Sequence, residues 1–430
     1  MSWAVLAVLV GCKGVADVDD RPAPGDTATP ETGSAPTGAS GDTGTGESGH
    51  TASSGATADT ADPAPTEPGF TWVAPPASVP PGGFSQDHAT AALRPDGTGV
   101  VVYSHELQLR GVRVEPNGAL VATPTGPFTN HGQVAATPEG FVVVATNNYD
   151  YALYGLTLDA AGVPDQDVVL LSTGPSLLAD VDVRAMLDGT VAGVVATTDR
   201  FELSCIAFTD SLQGLGPTPC PTPVDPTRAT GTVAVVQTEQ GPLYTWTEVS
   251  VDQSLSVFVG NGVTAPVRVG DLGYGAWMAG RPMLAVGDDD VVAVVYRGAT
   301  TQGQPVGSYL WHTGAGGVTT WSLGLNPGGT DVERVAVTPI VGERFVVGWE
   351  ESDQLWLQVR SSVDGAPLGI PSSAGTDPLR VPRRPSLDLV LGEDDGVHGI
   401  VSWESAEPGS AVEDDGRIVR IRRFRLDDQP

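Results

Sequence analysis

Phe345-Val346-Val347-Gly348-Trp349 and Gly399-Ile400-Val401-Ser402-Trp403 are short β-rich runs that end on tryptophan and are followed by glutamate. The pattern recurs at Val100–Tyr103, Val142–Ala145, Gly193–Ala196, Leu243–Trp246 and Val292–Tyr296. The end residues lie 42, 51, 50, 50, 53 and 54 positions apart. Strand-sized runs at even spacing, with no 3.6-residue period between them, predict an all-β chain. The 55 glycines and 36 prolines agree, since both are poor inside helices.

Each run sits in the same frame. A turn precedes it, as at Pro95-Asp96-Gly97 and Asp394-Asp395-Gly396. Before that turn lies a strand rich in Ala and Val, such as Val335-Ala336-Val337. A third strand follows the run, then a second turn such as Asn117-Gly118 or Asp364-Gly365, then a fourth strand. Asn-Gly and Asp-Gly are hairpin signals because glycine accepts positive φ. Four antiparallel strands per ~50 residues, repeated seven times, predict a seven-bladed β-propeller over residues 70–430. Six or eight blades, or a tandem of β-sandwiches, are the alternatives. The small residues of each first strand suit a crowded inner position. The seventh unit stops after its third strand, Ile418–Leu426, and Phe70–Val73 is placed to supply its outer strand and close the ring. The repeat is propeller-like in architecture, with no WD, kelch or Asp-box signature, so no family's catalytic residues come with it.

The N-terminus reads as an address. The apolar run Trp3–Val10 is too short to span a bilayer and has signal-peptide length. It ends in Leu9-Val10-Gly11-Cys12, which resembles the lipobox of bacterial lipoproteins, although no charged residue precedes it. The resemblance implies removal of residues 1–11 and lipidation of Cys12. Residues 12–69 then form an acidic linker rich in Gly, Ser, Thr and Pro. Its stretch 22–69 holds no large apolar side chain and so cannot offset chain entropy by burial. The expected location is extracytoplasmic, at the bacterial cell envelope, on the outer membrane or cell surface rather than the inner membrane. The membrane, reached through the N-terminal lipid, is one expected partner. An envelope protein or polysaccharide is the other. In an exported domain the remaining cysteines, Cys205 and Cys220, are expected to pair.

A formal net charge of −30 excludes nucleic acid as a partner, because phosphate binding needs surplus Lys and Arg. No C-x-x-C, H-x-H, H-E-x-x-H or G-x-S-x-G occurs, so no catalytic residue, metal site or cofactor is assigned. The acidic turns at Asp288–Asp290 and Glu393–Gly396 read as hairpin turns rather than calcium loops. Two sets of polar residues recur on one face, where first strands begin and second strands end. His88, His131, Arg228, Arg281, Arg334 and Arg384 precede the first strands, and Glu248, Glu350 and Glu404 follow the second. Together they predict a basic ring inside an acidic one, able to grip an anionic or sugar-like ligand. The expected function is a lipid-anchored module that binds a protein or polysaccharide. The alternatives are a carbohydrate-active enzyme using these carboxylates, or a spacer with no ligand.

Overall fold

The computed structural model describes residues 68–79, 86–106, 108–123, 131–147, 151–173, 178–185, 190–197, 203–215, 219–224, 230–238, 241–249, 254–274, 283–286, 291–296, 307–312, 318–320, 335–351, 353–375, 381–406 and 417–427. Cys12, Arg228, Arg281, Arg334 and the turn Asp288–Asp290 lie outside them.

All regular structure in these residues is β. The chain enters with β1 (Phe70–Trp72) and β2 (Ala77–Ser78). The first sheet then runs β3 (Gln86–Leu93), β4 (Gly99–His105), β5 (Gln108–Val114) and β6 (Leu120–Thr123). The second is β7 (His131–Ala136), β8 (Gly140–Asn147), β9 (Ala152–Asp159) and β10 (Val169–Thr173). The third has β11 (Leu178–Ala185), β12 (Thr190–Thr197) and β13 (Leu203–Thr209). The fourth is β14 (Thr230–Thr238), β15 (Gly241–Val249), β16 (Ser254–Gly260) and β17 (Val267–Tyr274). The fifth is β18 (Met283–Val286), β19 (Val291–Tyr296), β20 (Gly307–His312) and β21 (Val318–Thr320). The sixth is β22 (Val335–Val337), β23 (Arg344–Glu351), β24 (Gln354–Ser361) and β25 (Ser372–Ser373). The last joins β26 (Val381–Leu391), β27 (Val397–Ala406) and β28 (Ile418–Leu426) to β1 and β2.

Every pairing is antiparallel between neighbours in the chain, apart from those that bring β1 and β2 to β28. The first strands of successive sheets adjoin in chain order, and β26 adjoins β3. The chain is therefore an all-β propeller, and not a row of sandwiches. Its sheets pack face to face. Val100, Val102 and Leu109 meet Val134, Phe141 and Val143 of the next sheet. Val346, Leu355 and Leu357 meet Leu387, Val401 and Trp403. The first strands bury small residues, among them Ala91, Ala135, Ala234, Ala285 and Ala336, because strands crowded about one axis leave no room for longer ones. Turn chemistry is as expected at Asn117-Gly118: Gly118 has φ 84°, its N–H donates to Glu115 O, and Asn117 Oδ1 accepts from Ala119 N–H.

The expectation of seven uniform four-stranded blades needs correction. Among the described residues five sheets have four strands, the third has three and the last has five. The chain after β13 carries Pro217, Pro219, Pro221, Pro223 and Pro226. Alternating prolines lack the N–H groups a ladder requires. The stretch is held on β13 at separate points instead: Leu215 N–H donates to Ala207 O at 2.9 Å, and Cys205 is disulfide-bonded to Cys220 with Cα atoms 5.3 Å apart. At the other end, β1 pairs with β28 through Phe70↔Leu426, Thr71↔Arg425 and Trp72↔Phe424. The N-terminal segment thus completes the last sheet, and β2 adds a second short partner to the same strand.

Candidate functional site

The closing seam between β26–β27 and β3 carries the densest polar cluster among the described candidates. It is built on backbone irregularities. The register of β3 against β4 slips between Asp87 and Thr90, and that of β26 against β27 slips between Arg383 and Ser386. A third slip, between Thr230 and Val233 of β14, falls at the same place in the fourth sheet. Each is a β-bulge, where two residues oppose one. Inside two of them His88 and Arg384 adopt left-handed backbone, with φ of 55° and 49°. Such a conformation costs of order 1–3 kcal/mol for a non-glycine residue and concentrates at functional sites.

Glu404, at the end of β27 and fully buried, holds this arrangement together. Its Oε1 accepts the backbone N–H of His88 at 2.7 Å and Nη1–H of Arg384 at 3.4 Å. Its Oε2 accepts Nη1–H of Arg417 at 3.3 Å, and Arg417 is itself buried. Arg384 Nη1 also lies 3.1 Å from His88 Nε2. A guanidinium has no acceptor, so Arg384 donates and His88 Nε2 accepts. The His88 ring meets the edge of His131 from β7, centroids 3.8 Å apart at 75°. Thr90 Oγ1–H donates to Gly132 O at 3.1 Å and ties the first two sheets beside that contact.

Four of the expected site residues, His88, His131, Arg384 and Glu404, are thus brought together. The other two glutamates are elsewhere. Glu248 accepts the Trp246 indole N–H at 2.9 Å and the Val224 backbone N–H at 2.7 Å, so it anchors the proline-rich stretch. Glu350 is buried on β23, and its neighbour Glu351 accepts the Trp349 indole at 2.9 Å. The expected acidic ring therefore splits into two sets. Carboxylates two residues past the tryptophan (Glu248, Glu351) share its face and cap its indole. Glu404, one residue past Trp403, faces the next sheet.

Sequence reasoning did not place Arg417 in this cluster, nor did it single out Asp182 and Asp388. Asp388 Oδ2 accepts Leu93 N–H at 2.7 Å across the closing seam, and Asp182 Oδ2 accepts Val235 N–H at 2.9 Å between the third and fourth sheets. Their signal was an acid flanked by apolar residues, Val181-Asp182-Val183 and Leu387-Asp388-Leu389. Burial pushes the Asp388 carboxyl up to about 6, against the charge of Arg184 and the Leu93 N–H. Arg184 Nε also lies 4.0 Å from Asp182.

Other candidates resolve into structure. The turn at Glu393–Gly396 is a hairpin, closed by Gly392 N–H to Gly396 O, with Asp394 held by His398 Nε2 at 2.8 Å and Arg425 Nη2 at 3.4 Å. Those contacts and the Gly396 N–H hold the Asp394 carboxyl below its ordinary value, the His398 bond most of all. A groove of about 180 Å³ on the opposite face is lined by Glu139, Asp165, Gln166 and Asp210. Among the described residues no group of three or more His, Cys, Asp or Glu is set to hold a metal ion.

No protein-family model and no curated protein matches the chain. Among solved structures it is similar to hydrazine synthase of Kuenenia stuttgartiensis, at 14% identity and TM-score 0.49, over 80% of this chain and 97% of that one. It is similar to the polysaccharide lyase Uly1 at 10% and 0.47, over 82% of this chain and 91% of that one. A streptogramin B lyase stands at 11% and 0.46, with 81% and 95% covered. Likeness at this level says nothing about chemistry.

Proposed function

We propose that the chain is a lipid-anchored, extracytoplasmic propeller that binds an anionic polysaccharide of the cell envelope at the end where His88, His131 and Arg384 converge. We read the three-stranded and the five-stranded sheets as one blade each, which supports a ring of seven. Residues 1–11 are the signal, Cys12 carries the lipid, 12–69 are the tether and 70–430 the binding domain. The observation that carries the ligand reading is the pair of left-handed bulges from two different sheets. They bring Arg384 and His88 to 3.1 Å over a buried carboxylate. Backbone strain of this kind persists only where surrounding structure imposes it. An Arg fork offers paired donors that suit a carboxylate.

The carbohydrate-active alternative asks a carboxylate to exchange protons with a substrate. The oxygens of Glu248 and Glu404 instead receive backbone, indole and guanidinium donors, which favours binding over turnover. The test is retention of the full chain on immobilised polygalacturonate. Arg384→Gln should lose retention while keeping the wild-type β-sheet circular dichroism spectrum at the assay temperature. Retention unchanged by Arg384→Gln moves the ligand elsewhere, and release of sugars during the assay favours the enzyme. For the anchor, Cys12→Ser should abolish incorporation of radiolabelled fatty acid and shift the protein out of the membrane fraction.

A further inference from the structure

We propose that the site at the closing seam takes up a proton together with its anionic ligand, so that it binds more tightly in mild acid, with His88 as the group that titrates. The inference rests on the ligand reading above and adds its regulation. The argument begins with donors and acceptors. Arg384 Nη1 stands 3.1 Å from His88 Nε2. Arginine stays protonated at any relevant pH, so this contact exists only while His88 Nε2 is bare. A proton on His88 turns the contact into two cations at hydrogen-bond distance. The same atom of Arg384 also reaches Glu404 Oε1 at 3.4 Å. The neutral state thus occupies the guanidinium internally, on an imidazole and a carboxylate.

The groups packed against His88 set the direction. Arg384 and Glu404 come from the last sheet and Arg417 from just before β28. His131 comes from the second sheet, with its ring in edge contact. His105 is the cross-strand partner of Gln86, two residues away. Glu404 receives hydrogen bonds from both arginines and from the His88 main chain, so its position is fixed whatever the His88 ring does. Protonated His88 repels Arg384, and an anion lodged between them relieves that repulsion. Anion and proton therefore favour each other by linkage, equally in both directions. Histidine is the side chain that titrates nearest neutrality, so the measurement spans that range. The left-handed backbone at both His88 and Arg384 aims two side chains at one point from opposite sides of the seam.

The experiment measures the dissociation constant of a galacturonic acid oligomer for the full chain from pH 5.5 to 8, by calorimetry in two buffers of different ionisation enthalpy. The oligomer stays anionic throughout, so any pH dependence belongs to the protein. The expected result is binding about tenfold tighter at pH 5.5 than at 7.5, with up to one proton taken up per site. His88→Gln should flatten that ratio toward one, whatever its absolute affinity. His398→Gln, in the hairpin with Asp394, should keep the wild-type ratio. Nitrogen NMR of the six histidines should show His88 with a bare Nε2 at pH 7.5 and a doubly protonated ring in the acid complex. A pH-independent constant, or His88 doubly protonated at pH 8, overturns this inference and leaves the ligand reading standing. Absence of binding at every pH overturns both.

Discussion

Phe70→Ala in the full chain tests whether the ring is closed by its own N-terminal strand. Phe70 is 3% exposed although it lies at the entry to the domain. It pairs with Leu426 and packs its ring 5.0 Å from Trp72 and 5.3 Å from Phe424. Truncating a buried phenylalanine costs about 3–5 kcal/mol, the transfer of the ring plus the cavity it leaves. Unfolding entropy is about 2.1 cal/mol/K per residue. Over the roughly 360 residues from 70 to 430, a loss of about 4 kcal/mol lowers Tm by about 5 °C. The strand contributes more than this one ring. Val73 N–H donates to Arg423 O at 3.0 Å, and Trp72 gives its indole N–H to Ser372 Oγ and its face to Arg422, 3.9 Å from the ring centroid. Deletion through Val73 should therefore lower Tm further than Phe70→Ala, while deletion of residues 13–68 should leave it unchanged. Scanning calorimetry or near-UV circular dichroism melts read all three. If Phe70→Ala and the longer deletion both melt with the wild type, β1 does not hold the ring and the closing seam is carried by β26, β27 and β3 alone.

Three more outcomes follow from the same structure. The Cys205–Cys220 bridge closes a loop of 15 residues, so the double alanine variant should lose about 3 kcal/mol, read by urea titration, and thiol labelling of the unreduced wild type should find neither cysteine. Glu404→Ala strips the carboxylate from two arginines and a backbone N–H; loss of a buried partner of this kind costs about 3–5 kcal/mol, and a variant as stable as wild type would mean the cluster is solvated. Asp388 is raised to about 6. The folded state therefore holds a proton that the unfolded state has released between about pH 4 and 6. Stability from this group is present below about pH 4 and is lost as pH rises through 6. Asp388→Asn should gain on the wild type by roughly 1–3 kcal/mol between pH 4 and 7, and a constant difference across that range refutes the assignment.

The fold was legible because its signals are local and periodic. Each β-branched run, its turn and its small-residue partner strand can be read from side-chain pattern alone, and the structure places them as strands of successive sheets. Phe70–Trp72 was readable for the opposite reason: it is the first apolar group after a stretch with none, and apolar groups are buried. The site was legible only by position. Arg has no preference for left-handed backbone and the enrichment of His there is too weak to mark one position, so the residues themselves do not announce the bulges at His88 and Arg384. Those bulges are imposed by neighbouring sheets. The acidic residues after the second strands do not form one set. In a strand one residue reverses the face, so Glu350 and Glu351 differ in kind although they are adjacent. The uniform fourth strand failed at the third sheet because alternating prolines there lack the donors a ladder requires.

Two of the seams are reinforced by a buried aspartate. Asp182 joins the third sheet, which lacks a fourth strand, to the fourth through the Val235 N–H. Asp388 joins the last sheet to the first through the Leu93 N–H. At the second seam the two sides come from opposite ends of the domain. Bringing them together restricts a loop of roughly 300 residues, which costs about 5 kcal/mol of chain entropy by the logarithmic closure law. Sheets elsewhere pay far less, because a short connection already holds each beside its neighbour. Ser386 Oγ adds a third tie, accepting Ala91 N–H at 3.2 Å, next to the Glu404 bond to His88. Side-chain acceptors on the edge-facing N–H groups of β3 thus fix the register of the closure, which apolar contact alone leaves free to slide. The same need for directional polar contacts puts titratable groups at the closing seam, and so the place where the ring is joined is also where it answers to pH.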